Sequence, residues 1–289
     1  MNVTTRQTLR RMVEGRRGLL VPGAFNAMSA RIVADAGFEA VYLTGAGLTN
    51  MYYGLPDLSF IGLRDIAEHT ARMRDAVDIP LIVDADTGFG NALNVRHTVK
   101  TLERAGADAI QLEDQVFPKR CGHFAGKSVA PLEEMLTKIA AAADARADED
   151  FLIIARTDSR AVHGFDHAVE RAQRFADAGA DILFVEAMQS EEEVRRLPQL
   201  FERPLLVNLV VGGMTPVLPA DELGRLGYGI VLYANAALQG AVVGMQRALG
   251  ALKSQGRLDE DPALVAPFAE RQRLVDKPLY DALEKQYAS

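Results

Sequence analysis

The sequence predicts an α/β fold, a (β/α)8 TIM barrel, from three observations. Eight short apolar runs recur along the 289 residues. Segments with the spacing of amphipathic helices lie between several of these runs. Some segments end in Ala-Gly just before the next run, at Gly37, Gly106 and Gly179, where glycine can adopt the left-handed conformation that stops a helix.

Each run is short enough for a strand, and near-continuous apolar character is typical of strands that are buried on both faces. In chain order, the runs are LLVPGAF from Leu19, AVYLTG from Ala40, PLIVDAD from Pro80, DAIQLED from Asp108, FLIIARTD from Phe151, DILFVEA from Asp181, PLLVNLV from Pro204 and GIVLYAN from Gly229. The predicted helices include LNVRHTVKTLERAG, EEMLTKIAAAADAR, DHAVERAQRFADAG and SEEEVRRLPQLF. A doubly wound open sheet is the alternative, but no GxGxxG follows the first run as a dinucleotide-binding fold would require.

The chain is predicted to be a single barrel domain over residues 1–289, with a helical extension at about 250–289. A barrel needs one helix after its last strand, yet two further stretches of helical sequence follow the eighth run. Their apolar faces must pack somewhere, so we expect a homo-oligomer, a tetramer whose C-terminal helices are exchanged between subunits.

Composition excludes several classes of protein. The formal charge of -7 argues against a nucleic-acid partner, which would require a basic face. No apolar run is long enough to span a membrane, and the N-terminal residues lack the apolar core of a secretory signal. A single cysteine excludes an internal disulfide framework and favours the reducing cytoplasm.

Charged and amide side chains follow several of the predicted strands. In such a barrel the carboxyl ends of the strands surround the site of chemistry. The residues at these positions are Thr44, Gly45, Ala46, Asp84, Asp86, Glu113, Arg156, Glu186 and Asn208. Carboxylates that lie close together repel unless protons or a cation compensate, and oxygen ligands without a histidine cluster favour Mg2+ or Mn2+.

A simpler interpretation exists for each of these residues taken alone. An aspartate after a strand is commonly a turn or cap residue, and Arg156 could pair structurally with Asp158. We expect Asp158 to be structural. Five successive strands that all end in this way are harder to explain by turn chemistry, so the set favours a polar, carboxylate-lined pocket.

The stretch EDQVFPKRCGHFAGK holds the only cysteine, Cys121. The neighbouring cations Lys119 and Arg120 lower a thiol's pKa, so the sequence predicts a reactive cysteine and not a buried apolar one. Residues 115–131 are long enough to fold over the mouth of the barrel. Cys121 could be a nucleophile or could donate a proton to a carbanion, and the acidic pocket favours proton donation.

KRCGH at 119–123 resembles the signature of the isocitrate lyase and phosphoenolpyruvate mutase superfamily. YLTGAG, GLPD, VDADTGFGN, LEDQ, ARTD, EA and NLVVGGMTP occur in the order seen in that family, so the resemblance covers nearly the whole chain. The compact length is similar to the methylisocitrate lyase and dimethylmalate lyase branch.

The resemblance implies a Mg2+ site with Asp84 and Asp86, of which Asp86 would bind directly, and with Asp57 and Glu113 acting through water. It implies substrate contacts from Thr44, Gly45, Ala46, Gly122, His123, Arg156 and Asn208. Glu186 would lie beside the reacting hydroxyl, and Cys121 would protonate the carbanion left after cleavage. Tyr42 is a candidate base for the hydroxyl, although a packed tyrosine on the barrel wall is an equally good interpretation.

The implied activity is a Mg2+-dependent carbon–carbon lyase that cleaves a 2-hydroxy di- or tricarboxylate to a 2-oxo acid such as pyruvate and a carboxylate. A phosphonomutase or an oxaloacetate-cleaving enzyme on the same scaffold is the alternative. A thiol hydrolase built on Cys121 and His123 and a non-catalytic binding barrel are weaker hypotheses. Val211 stands where the family often has a glutamate, and Ala46 where it often has a glycine. We therefore expect a more apolar distal pocket and an alkyl-substituted malate.

Overall fold

Eight parallel strands close into a barrel in a computed structural model of the chain, which describes residues 3–122 and 126–288. The strands are β1 Leu19–Ala24, β2 Val41–Leu43, β3 Leu81–Asp84, β4 Ala109–Glu113, β5 Leu152–Thr157, β6 Ile182–Val185, β7 Leu205–Asn208 and β8 Ile230–Tyr233. They pair in sequence order, and β1 pairs with β8 in the register Leu19 to Ile230. The prediction of an eight-stranded barrel is confirmed, since each strand lies within a predicted run.

Helices connect the strands and surround the barrel. They are α1 Thr5–Glu14, α2 Ala27–Asp35, α3 Gly45–Leu48, α4 Leu63–Arg74, α5 Ala92–Arg104, α6 Leu132–Ala145, α7 Ser159–His163, α8 Phe165–Asp177, α9 Glu191–Arg196, α10 Ala220–Leu226, α11 Ala236–Gln255, α12 Phe268–Leu274 and α13 Lys277–Tyr287. Gly106 has φ +100° and Gly179 φ +108°, so both end their helices in the predicted left-handed conformation.

Helix α1 closes the N-terminal end of the barrel, which the sequence did not reveal. Its two buried residues, Leu9 and Val13, belong to the cluster that fills the barrel interior together with Ile82, Ile154 and Phe184. Arg6 from the same helix pairs with Glu103 at 3.1 Å. The closed bottom leaves the C-terminal end as the open mouth.

Helix α11 contrasts with the other barrel helices because it is largely exposed. Of its 20 residues only Leu238 is buried. Val243, Met245 and Leu249 have exposed fractions of 44%, 46% and 63%. The predicted exchange of helices between subunits would cover this apolar face, and it stays a prediction. None of the helices in the described ranges is both long and apolar enough to cross a membrane.

Candidate active site

A cavity of about 440 Å3, partly open to solvent, lies at the mouth of the barrel. It is lined by most of the predicted site residues, namely Tyr42, Thr44, Ala46, Asp57, Asp84, Cys121, Gly122, Arg156, Glu186 and Asn208. The carboxyl ends of the strands therefore bring together side chains that are far apart in sequence, as the barrel prediction required.

Asp84 ends β3 and is held by three donors. Its Oδ1 accepts hydrogen bonds from the Asp86 N–H at 3.1 Å and from Gln111 Nε2 at 3.3 Å. Its Oδ2 accepts one from the Gly45 N–H at 3.3 Å. Because both oxygens are engaged by the protein, Asp84 is oriented before any ligand arrives.

Asp86 lies two residues further on, in the left-handed backbone conformation with φ 47°. A non-glycine residue in this conformation carries strain that is found mostly at functional sites. The carboxyl group is buried, and burial raises the pKa of Asp86 to about 7, with further upward contributions from Asp84 and Asp57 against the opposing effect of Lys119.

Lys119 joins two of the predicted metal residues. Its Nζ lies 2.6 Å from Asp57 Oδ1 and 3.0 Å from Asp86 Oδ1, and its side chain is 4% exposed. Burial alone would lower the pKa of Lys119, but the carboxylates of Asp86 and Asp57 outweigh it and raise that pKa well above its usual range. The site therefore already holds one positive charge between these two carboxylates.

Two buried carboxylate oxygens in the described part of the chain accept no hydrogen bond, Asp86 Oδ1 and Glu113 Oε1. Asp86 Oδ1 is near Lys119 Nζ, but not in hydrogen-bonding geometry. Burial also raises the pKa of Glu113 well above its usual range, although Arg156 opposes this. Oxygens of this kind in an acidic pocket fit a hard divalent cation.

Within residues 3–122 and 126–288, no group of three or more His, Cys, Asp or Glu side chains is placed to hold a metal by itself. A cation here would take water or substrate oxygens to complete its coordination, as Mg2+ commonly does. The acidic lining therefore fits a hydrated divalent cation such as Mg2+.

Arg156, at the carboxyl-terminal part of β5, is the central cation of the opposite wall. Asp158 accepts from its Nε at 2.9 Å and its Nη2 at 3.0 Å. Nη1 lies 3.3 Å from Glu113 Oε2 and 3.5 Å from Glu186 Oε2. Asp158 pairs with Arg156 as expected. Because this side-on salt bridge uses Nε and Nη2, it leaves Nη1 oriented toward the site.

Glu186 and Asn208 follow β6 and end β7. Asn208 Nδ2 donates to Glu186 Oε2 at 3.3 Å. Ala187, in the left-handed conformation with φ 57°, turns its N–H back to donate to Glu186 Oε1 at 2.8 Å. The strained backbone at Ala187 thus fixes the direction of the Glu186 carboxylate.

Tyr42 lies on the barrel wall with its hydroxyl committed to a partner. It donates to Gln111 Oε1 at 2.7 Å, and Gln111 in turn donates to Asp84. Burial, and then the nearby Asp84, raise the pKa of Tyr42 well above its usual value. This geometry favours a hydrogen-bond donor over a base.

The loop after β2 begins with Thr44, whose Oγ1 accepts from the Gly47 N–H at 3.3 Å and caps the short helix α3. Thr44 and Ala46 line the cavity. Gly45 instead lies against the acids, because a Cβ there would be 3.1 Å from Asp84 Oδ2 and 3.4 Å from Asp86 Oδ1. Its predicted contact with substrate stays a prediction.

Cys121 and Gly122 line the cavity from the Cys121 loop, residues 115–131. The base of this loop is closed by the bridge between Gln115 and Val129. A Cβ on Gly122 would lie 2.7 Å from Glu186 Cγ, so this glycine packs directly on the opposite wall. His123 lies outside the described residues.

Val211 lies outside the lining of the cavity. Its side chain is 62% exposed, whereas its neighbour Val210 lines the cavity together with Leu232 and Ala234. The lining thus contains apolar residues, and the expected effect of Val211 on the distal pocket stays a prediction.

Several site residues escaped the sequence analysis. Gln111 is fully buried inside the barrel, and Lys119 and Lys127 place their ammonium groups on site carboxylates. Asn235 lines the cavity after β8, and its buried Oδ1 has no hydrogen-bond partner in the described residues. The position of Asn235 at the end of the eighth run was the available signal.

Residues 9–253 match the phosphoenolpyruvate phosphomutase family. The chain is 39% identical over 287 residues to 2,3-dimethylmalate lyase of Eubacterium barkeri, covering 99% of both chains. It is 45% identical over 248 residues to 2-methylisocitrate lyase of Aeropyrum pernix, covering 86% of this chain and 80% of that protein.

Solved structures agree in fold over the whole chain. A crystal structure of 2,3-dimethylmalate lyase superposes with a TM-score of 0.93 at 35% identity, covering 100% of this chain and 97% of the other. A phosphonopyruvate hydrolase in complex with oxalate and Mg2+ superposes with a TM-score of 0.89 at 32% identity, covering 99% and 100%.

Proposed function

The chain belongs to the phosphoenolpyruvate mutase and isocitrate lyase superfamily, and on that premise we propose that it is a Mg2+-dependent lyase for alkyl-substituted malates. The expectation of an oxo-acid lyase of the methylisocitrate and dimethylmalate type is confirmed by the relatives. The divalent ion, the substrate and the roles of individual residues are the proposal.

One observation carries the assignment. Cys121, the only thiol of the chain, lines the same cavity as Asp84, Arg156 and Glu186. A carbon–carbon lyase needs charge stabilisation, carboxylate recognition and a proton donor within one substrate length. This cavity offers all three.

Asp86 and, through water, Asp57, Asp84 and Glu113 would hold the divalent ion. Two oxygens of the described residues support this, Glu113 Oε1, which accepts no hydrogen bond, and Asp86 Oδ1, which is neutralised only by Lys119 at 3.0 Å, because a buried carboxylate oxygen is costly unless a donor or a cation satisfies it. When bound, the ion supplies Lewis-acid stabilisation of negative charge on the hydroxyl and carboxylate oxygens of a 2-hydroxy acid. Lys119 would keep the acids of the site partly neutralised between turnovers.

Arg156 and Asn208 would bind the carboxylate that stays with the departing fragment. Nη1 of Arg156 is held toward the cavity by the grip of Asp158 on its other nitrogens. A fixed guanidinium there stabilises the charge that develops as the bond breaks, and it needs no rearrangement to do so.

In the cleavage step, the hydroxyl proton passes to Glu186 and the hydroxyl carbon becomes the carbonyl of the 2-oxo acid. The electron pair of the broken C2–C3 bond moves to C3, next to the second carboxylate. The Cys121 thiol then gives its proton to C3, which completes the carboxylate product. Tyr42 would keep its hydrogen bond to Gln111 and thereby help to orient Asp84. It would not accept the hydroxyl proton.

The apolar part of the cavity lining favours an alkyl group over a third carboxylate. It consists of residues such as Val210, Leu232 and Ala234. An unpaired carboxylate against such residues would lose its hydration without compensation, whereas a methyl group would gain from burial. A 2,3-dialkylmalate therefore fits better than 2-methylisocitrate.

The direct test is a substrate panel in Mg2+ with 2,3-dimethylmalate, 2-methylisocitrate, isocitrate, oxaloacetate and phosphonopyruvate, with release of 2-oxo acid as the readout. We expect the highest kcat/KM with 2,3-dimethylmalate and no turnover in EDTA. Turnover of phosphonopyruvate alone would replace the lyase with the phosphonomutase alternative, and full turnover in EDTA would remove the metal from the mechanism.

We also infer a homo-oligomer, a tetramer in which the helical extension packs on a second copy of the single barrel domain. The exposed apolar residues of α11 support it. Sedimentation velocity would measure the mass directly, and a monomer would contradict the inference. The cytoplasmic location expected from the single cysteine stays a prediction.

A further inference from the structure

Lys127 lies where three parts of the active site meet. It belongs to the returning arm of the Cys121 loop, and its Nζ donates to the carbonyl oxygen of Gly122 on the outgoing arm. The same Nζ lies 2.7 Å from Asp158 Oδ1, the carboxylate that grips Arg156. The ammonium thus links the peptide next to Cys121 to the carboxylate behind Arg156.

The charge of Lys127 is fully buried in this arrangement. Its side chain is 2% exposed and that of Asp158 is 0% exposed. A buried ammonium is costly unless it is paired and hydrogen-bonded, so the arrangement persists only with both partners in place. Burial alone would raise the pKa of Asp158, but Arg156 and Lys127 outweigh it and lower that pKa to about 2.

Asp158 is itself held in place by a hydrogen-bond network on the barrel. Its backbone N–H donates to Asp114 Oδ1 at 2.9 Å, and Asp114 also accepts from Thr157 Oγ1 at 2.7 Å and Arg171 Nε at 2.9 Å. Asp158 therefore provides a rigid attachment point on the barrel, and Lys127 is the side chain that ties the loop to it.

The packing around Gly122 leaves no room for this part of the loop to shift. A Cβ at Gly122 would lie closest to Arg156 Nη2 and then 2.7 Å from Glu186 Cγ, so this residue packs tightly against both Arg156 and Glu186. A shift of Gly122 away from Asp158 would also move the adjacent Cys121, because the trans peptide between the two residues fixes the distance between their Cα atoms.

We propose that Lys127 is a positioning residue for the reaction, because it fixes the peptide next to Cys121 to the carboxylate that orients Arg156. This sets the distance between the proton-donating thiol and the substrate carboxylate. The role in turnover rests on the proposed lyase function, whereas the placement of the thiol does not.

The single cysteine makes the placement measurable without substrate. We would measure alkylation of Cys121 by iodoacetamide in the full-length protein with MgCl2, from pH 6 to 10. Loss of a nearby ammonium also raises a thiol's pKa, so the comparison uses the plateau at high pH, where the thiol is ionised in every variant.

In Lys127→Met we expect the plateau rate to rise about fivefold or more, since loss of a charge-assisted hydrogen bond raises the population of arrangements with an accessible thiol. Gly122→Ala should have the same effect, because its methyl group would clash with Arg156 Nη2 and Glu186 Cγ and displace this residue of the loop. Lys138→Met is the matched control. It also removes a buried lysine, one that pairs with Glu134 at 2.9 Å on α6, and the plateau should stay at the wild-type value.

With 2,3-dimethylmalate, Lys127→Met should lower kcat about tenfold or more and change KM less, since misplacement of a catalytic group affects the chemical step most. A folded Lys127→Met protein whose alkylation plateau stays within about twofold of wild type would overturn the proposal. If that variant does not fold, Gly122→Ala decides in the same way. A protein that turns over no malate would refute the lyase function and leave the alkylation test intact.

Discussion

At the N-terminal end of the barrel, buried carboxylates are fully partnered, whereas at the C-terminal end two of them keep an oxygen without a hydrogen bond. Asp108 accepts from Thr5 Oγ1 at 2.6 Å, from the Leu81 N–H at 2.7 Å and from Arg74 at 3.1 Å. Asp86 Oδ1 and Glu113 Oε1, in the described residues of the mouth, accept none.

Backbone strain does not separate the two ends. Asp86 and Ala187 adopt positive φ at the mouth, and Arg16 does so at the bottom. A buried polar atom without a hydrogen bond costs stability, and natural proteins tolerate it mainly where a ligand or a reaction uses it. The comparison indicates that the buried carboxylate at the bottom is a hydrogen-bond acceptor for the fold, while those at the mouth keep an oxygen available for a ligand.

Cys121→Ser should produce the largest effect on activity. Serine is a far weaker acid than a thiol, so cleavage should fall about 100-fold or more while the melting temperature stays unchanged. Steady-state kinetics and thermal unfolding measure the two quantities. A near-normal rate would remove Cys121 from the proposed mechanism and weaken the distinction between the two ends.

Asp86→Asn should lower Mg2+ affinity about 100-fold or more, because it removes the proposed direct ligand. Without Mg2+ the variant should remain folded, because asparagine keeps the size of the side chain and Lys119 retains its salt bridge to Asp57. Calorimetric titration and melting curves with and without MgCl2 test both statements. Unchanged affinity would contradict the ligand role.

Asp108→Asn tests the opposite end and serves as the matched control for Asp86→Asn. It replaces one of two carboxylate oxygens that together accept hydrogen bonds from Thr5, Leu81 and Arg74, so the free energy of unfolding should fall by about 1–3 kcal/mol. Mg2+ affinity and kcat should stay at their wild-type values. Loss of Mg2+ binding without loss of stability would erase the difference between the two ends.

Tyr42→Phe should have the smallest effect, a fall in kcat of about tenfold or less. Burial raises the pKa of Tyr42, so the phenol stays protonated throughout the working range, and its loss should leave the pH profile of kcat unchanged. Loss of a basic group from that profile, together with a fall of about 1000-fold, would make Tyr42 the base after all.

The strands were predictable because burial on both faces leaves runs such as that from Leu152 to Ala155 almost wholly apolar. Helix α1 was missed because its buried face is only Leu9 and Val13 within an arginine-rich segment, and its partner is the distant barrel interior. Local pattern cannot indicate where so narrow a face will pack.

The site residues at strand ends were predictable because the ends of the apolar runs mark the ends of the strands. Asp84, Glu113, Arg156 and Asn208 each terminate such a run or lie at its edge. The partners of those residues were not. Lys119 reaches Asp57 across 62 residues of sequence, and Lys127 reaches Asp158 across 31. Such ion pairs depend on loop conformation, which strand periodicity does not determine.

The most direct test of the account is the stereochemistry of protonation. Cleavage of 2,3-dimethylmalate in D2O should place one deuterium on the α-carbon of the carboxylate product, in a single configuration, because the Cys121 thiol delivers it from one face. A racemic product from the wild-type enzyme, or the same single configuration at an unchanged rate from Cys121→Ser, would contradict it.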